Sequence, residues 1–145
     1  MITNERQYRI ANAQLGRFED MLAAHDASKR TADVDPRVHQ AMRDAIASEL
    51  DELRAQLVRY DDLRSGRVAE RTLDSLRELP IALIEARIAA QLTQRELGEL
   101  LGVPEQQIQR WEANMYTGVG VERLQAIADA LKLKIHETVT YTIHA

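Results

Sequence analysis

The chain contains no cysteine. That removes disulfides, thiolate metal sites and cysteine nucleophiles together, because each needs the sulfur. Aromatic residues are scarce, with a single Phe and a single Trp, while Leu, Ala, Arg and Glu are abundant. Strong helix formers without the β-favouring aromatics predict helix over sheet. No run of about 18 apolar residues is present to span a bilayer, and the polar opening MITNERQYR lacks the apolar core of a signal peptide. A cytoplasmic protein with no membrane partner is therefore expected. A basic excess is missing as well: residues 1–66 carry 10 basic and 12 acidic side chains, residues 67–145 carry 9 and 11, and the formal net charge is −4. Neither half has the positive balance usual in nucleic-acid binders.

What is present is helical periodicity. Tyr8, Ala11, Leu15, Phe18 and Leu22 recur at helical spacing and predict one apolar stripe, with Asn4 placed to cap the helix start. The stretch DASKRTADVDP breaks the pattern, and Asp35 followed by Pro36 is a good helix start because proline loses no needed donor in the first turn. A second stripe runs through Val38, Met42, Ile46, Leu50, Leu53, Leu57 and Tyr60 until Ser65 and Gly66 end it, which makes a helix about 40 Å long. Two such helices form a hairpin of coiled-coil type whose seam stays partly wet unless something covers it. Self-association or partner docking through residues 4–64 is expected; the alternative is that the hairpin packs back on the second half of its own chain.

Residues 67–79 read as a junction, with a short strand over 68–73 and a capping box from Ser75 to Glu78. At the far end Leu133, Ile135, Val139, Tyr141 and Ile143 alternate with polar residues at strand spacing. A lone strand needs a partner, either 67–73 or its copy in a second subunit.

Between these lie four short helical units. The first, over 80–91, carries Leu83, Ile84, Ile88 and Ala90. Thr93 and Glu96 form a capping box before Leu97 and Leu101, and Gly102 closes the second unit in the left-handed conformation. Pro104 begins the third, with Ile108 and Trp111 inward. Val121, Leu124, Ile127, Ala128 and Leu131 mark the fourth. Two short helices joined by a Gly-containing turn meet the geometric requirement of a helix-turn-helix, although helical hairpins in general meet it too.

The stretch LTQRELGELLGVPEQQIQRWE resembles the Cro/repressor-type (XRE) helix-turn-helix family, whose typical text runs L-T-Q-x-E-L-A-x-x-L-G-V-S-x-x-x-I-S-x-x-E. Leu92, Thr93, Gln94, Leu97, Leu101, Gly102, Val103, Ile108 and Glu112 fall in register, with Arg95 at a free position, and the likeness spans about 80–133. It implies that Gln94 touches a DNA phosphate and that Arg87 pairs with Glu112 as a scaffold ion pair. Family register sets Glu105, Gln106, Gln107 and Arg110 nearest the bases, with Gln109 leaning away. Gln suits adenine and Arg suits guanine, each in bidentate fashion. Thr93, Gln94, Arg95 and Tyr116 are the expected phosphate contacts. Two departures stand out: Pro104 occupies the place of a capping Ser or Thr, and Gly98 that of a small Ala.

Nothing points to catalysis. No nucleophile–base set emerges, and Gly118 and Gly120 follow no strand, so they form no phosphate-binding loop. His25, His39, His136 and His144 lack carboxylate or Cys company at ligand spacing and read as solvated, so no metal and no cofactor is expected. Asp61, Asp62, Glu49, Asp51 and Glu52 read as the wet face of the long helix.

The whole is read as mainly α. A helical hairpin occupies 1–66 and a junction 67–79. A four- to five-helix repressor-like DNA-binding domain follows over 80–133, and a short C-terminal β-strand over 134–145. The expected function is a dimeric transcriptional repressor on inverted half-sites of double-stranded DNA. Rival readings are an antitoxin-like protein whose remaining segments hold a toxin partner, and an adaptor that binds only protein.

Overall fold

The computed structural model describes residues 1–28 and 33–144. Its helices are α1 (Glu5–Ala27), α2 (Pro36–Arg64), α3 (Leu79–Ala89), α4 (Gln94–Leu101), α5 (Glu105–Ala113) and α6 (Val121–Ala130), with one 3-10 turn at Leu76–Glu78 before α3. Part of the expected break between the first two helices, residues 29–32, lies outside the described residues.

Local signals set the ends of α1 and α2. The Asn4 side chain accepts from the Gln7 amide, the Asp35 side chain accepts from the Arg37 amide beside Pro36, and Gly66 follows α2 at φ +75°. The two helices run antiparallel, as their ion pairs show: Glu5 meets Arg64 at 2.9 Å at one end and Asp26 meets Arg43 at 2.8 Å at the other. Between them the Tyr8 hydroxyl donates to Asp61 at 2.8 Å, and its ring lies 5.2 Å from that of Tyr60.

The near end of this hairpin is continuous with the rest of the molecule. Leu57, Tyr60 and Leu63 share one apolar core with Leu83, Ile84, Ile88, Leu97, Ile108 and Ile127. A charged clasp sits beside it. Glu85 is buried on α3 and accepts from Arg59 of α2 at 2.7 and 2.8 Å and from Arg71 of the junction at 3.2 Å. Burial pushes the Glu85 carboxyl up, but the two guanidiniums outweigh it and hold it below its ordinary range.

The far end is bare. Val38 and Met42, expected in the buried stripe of α2, are 52% and 54% exposed, and Met21 of α1 is 49% exposed. Periodicity marks a face, and among the described residues no third element lies against it. His25 and His39, expected in solvent, instead stack with ring centroids 4.3 Å apart, and both His25 nitrogens are buried.

Other expectations are corrected. Residues 68–73 form no strand; the Val68 amide, like that of Arg67 before it, bonds back to the Asp62 carbonyl, and Arg71 is drawn to Glu85. Ser75 caps only a 3-10 turn, while Glu78 accepts from the Asp74 amide. Ala90 and Val121 are exposed rather than inward, Val121 lying at the very start of α6 where the chain has yet to reach the core. The described part of 134–145 forms no strand either, and Val139, Tyr141 and Ile143 stand in solvent. Alternation gives that segment two faces, but no neighbouring edge supplies the hydrogen bonds a strand requires.

Candidate nucleic-acid interface

The α4–α5 pair is set by three local devices. At its start the Thr93 hydroxyl accepts from the Glu96 amide while the Glu96 carboxylate accepts from Thr93, a complete capping box. The Thr93 backbone and hydroxyl donors hold the Glu96 carboxyl below its ordinary range. Between the helices Gly102 takes φ +68°, which a residue with a Cβ adopts only under strain. At Gly98 the turn folds back so closely that a Cβ would meet the Val103 carbonyl oxygen at 2.6 Å, so glycine in place of the usual alanine matches a tighter approach. Pro104 caps α5 without any side-chain hydrogen bond.

α5 is anchored through one face. Ile108 is fully buried, and Trp111 is half-buried beneath Arg123 with its ring 6.3 Å from that of Tyr116. Beside them runs a buried polar chain. Arg87 Nε and Nη2 donate to the two Glu112 oxygens at 2.5 and 2.9 Å, and its remaining donors reach the carbonyls of Leu92 at 2.7 Å and Thr3 at 2.5 Å. The side chains of Arg87 and Glu112 are 3% and 1% exposed. Four of the five guanidinium donors thus meet acceptors, and both Glu112 oxygens are bonded, as burial of a charge pair demands.

The opposite face of α5 is open. Glu105, Gln106, Gln109 and Arg110 are exposed and Gln107 is half-exposed. Their mutual bonds are long: Gln109 to Glu105 and Arg110 to Gln107, both at 3.3 Å. Such contacts hold the side chains together without committing them, so their donors and acceptors remain usable by a partner.

A helix anchored by one side and projecting at a Gly turn, with amides and a guanidinium on the other, is the arrangement that enters a major groove. A profile of the family Helix-turn-helix matches residues 83–137. This segment is a helix-turn-helix domain of the XRE/Cro-type regulators. The match covers less than half of the chain and leaves the hairpin outside it. No curated relative and no solved structure matches the chain.

Within the helix-turn-helix domain, two of the four expected phosphate contacts are placed elsewhere. Gln94 is only 5% exposed: its amide nitrogen donates to Glu112 at 2.7 Å and its oxygen accepts from Asn4 at 3.2 Å. It is used up inside the protein. Tyr116 is also buried, with a hydroxyl that has no partner among the described residues, and burial pushes that hydroxyl's pKa well up, with Glu112 adding to the shift. A side chain at φ +53° just past α5 turns into the core rather than outward. Thr93 is exposed, but its hydroxyl donates to Glu96 at 2.8 Å. Arg95 is exposed and meets Glu99 at 3.1 Å on the same helix, a contact that water weakens.

Sequence reasoning missed the arrival of α1. Asn4 caps α1 with its oxygen and donates to Gln94 with its nitrogen, so the first turn of α1 starts beside that of α4. Asn4 was legible as a cap; its second partner, 90 positions away, left no mark in the local pattern. Among the described residues there is no cluster of three or more metal-ligating side chains, and no helix is long and apolar enough to cross a membrane.

Proposed function

We propose that this protein is a sequence-specific DNA-binding transcriptional regulator, acting as a dimeric repressor that inserts α5 into the major groove. One observation carries the reading: α5 offers Glu105, Gln106, Gln107 and Arg110 to solvent while Ile108 and Glu112 fix its other side. Gln106 and Gln107 suit adenine, Arg110 suits guanine and Glu105 suits the cytosine amine, each good pair being worth about 1–3 kcal/mol of discrimination. Arg95 and the first-turn amides of α4 and α5 that the caps leave free serve the backbone.

The acidic balance of the chain calls for two copies. A dimer doubles the contacts and sets two α5 helices about 34 Å apart on inverted half-sites. Met21, Val38 and Met42 at the bare end of the hairpin supply apolar surface for that pairing. Selection of bound duplexes from a random pool, combined with light scattering, tests both parts. Inverted halves with a molecular mass of two chains are expected, and Arg110→Ala is expected to lose sequence preference without loss of helicity. A wild-type chain that binds no duplex at low salt overturns the reading.

The exposed tail favours a second reading, an antitoxin-like protein. Ile135, Val139, Tyr141 and Ile143 alternate at strand spacing and have no cover, so they fit an extended strand added to another protein's sheet edge. A toxin that co-purifies in fixed stoichiometry, and is lost on removal of residues 134–145, is the result that would favour it.

A further inference from the structure

The first turns of α1 and one side of α5 line an open groove of about 1060 Å³ together with the start of α4. Arg6 and Ile10 line one wall, Glu105 and Gln109 the other, and Thr93 and Gln94 the floor. Residues at the starts of three helices therefore line one space, and a helix start carries the positive end of the helix dipole. The wall made by α1 is fixed in place, because Thr3 and Asn4 are tied to Arg87 and Gln94 of the buried polar chain.

Charge in the groove is unevenly matched. Glu5 is paired with Arg64 at 2.9 Å and Glu112 is buried against Arg87. Arg6 has no carboxylate partner among the described residues, and Glu105, on the far wall, is bonded only by Gln109. A polyanion entering the groove is thus attracted to the α1 side and repelled from the α5 rim.

In a helix-turn-helix the first helix of the pair crosses the DNA backbone while the second enters the groove. With α5 in the major groove, the strand that flanks it runs past the starts of α4 and α5, which is the course of this groove. We propose that the groove holds the phosphodiester backbone of the bound duplex and that Arg6 grips it, making α1 a third element of the DNA interface. A backbone cation beyond Arg95 is then supplied to the acidic helix-turn-helix domain from the other end of the chain. This inference rests on the DNA-binding reading above.

Fluorescence anisotropy on the full chain, with the duplex selected from the random pool, tests it. Arg6 is exposed, so its variants are expected to keep wild-type helicity by circular dichroism. Arg6→Ala is expected to weaken binding about 5- to 10-fold for all duplexes alike and to lower the log–log salt slope by about 1, as for one lost phosphate contact. Arg6→Glu is expected to weaken it further. Arg17→Ala, on an exposed stretch of α1 beyond the groove, is expected to change neither. Wild-type affinity and slope for Arg6→Ala overturn the proposal. So does tighter binding, which would make α1 a cover over the site. If Arg110→Ala abolishes selectivity while Arg6→Ala is silent, the proposal alone fails; if the wild type binds no duplex, both fail.

Discussion

Replacing Arg87 by alanine removes more than one ion pair. The guanidinium reaches both Glu112 oxygens and the carbonyls of Leu92 and Thr3 at distances of 2.5 to 2.9 Å. Without it, the 1%-exposed Glu112 side chain keeps only Gln94 as a side-chain donor among the described residues. Breaking a buried pair by removing one partner costs about 3–5 kcal/mol, because the remaining charge is stranded in a poor solvent. Against a total stability of about 5–15 kcal/mol, that is a large fraction. At about 2–4 °C per kcal/mol for a chain near this size, the thermal midpoint should fall by roughly 6–20 °C. Urea denaturation should show a lower midpoint with unchanged slope. The effect should also appear at a distance: amides at the start of α1 should exchange faster, since Thr3 loses its anchor. The double variant Arg87→Met with Glu112→Leu should be less damaged than the sum of the single ones, because the charge is no longer stranded. A loss below about 1 kcal/mol for Arg87→Ala, the range of exposed pairs, would show that water reaches this site and that apolar packing alone joins α3 to α5.

Three further outcomes are expected. The Glu85 carboxyl is held below its ordinary pKa, so its stabilising contribution is present above the unfolded value of about 4.5 and disappears as pH falls through the lower folded value; Glu85→Gln should therefore flatten the acid limb of a stability–pH profile, and an unchanged limb would refute the clasp. Thr93→Ala removes the cap of α4 and should cost about 1 kcal/mol in chemical denaturation; no measurable loss would mean that the capping box is open in solution. Tyr116→Phe deletes a buried hydroxyl, so duplex affinity should stay unchanged and stability should not fall. A drop in affinity with an unaltered salt slope at other sites would restore Tyr116 to the DNA surface.

The sequence alone determined what depends on neighbours within a turn. The capping box at Thr93 and Glu96, the left-handed Gly102, the proline start of α2 and the outward set on α5 all follow from residues three or four positions apart, whose geometry the helix itself fixes. Only the tertiary structure decided what lies against each face. It turned Gln94 inward onto Glu112, buried Tyr116, left Val38 and Met42 bare, and brought Asn4 to Gln94 across 90 positions. The tail shows the same division: Ile135 to Ile143 carry the alternation of a strand, yet a strand exists only where another edge completes its hydrogen bonds, and among the described residues none does.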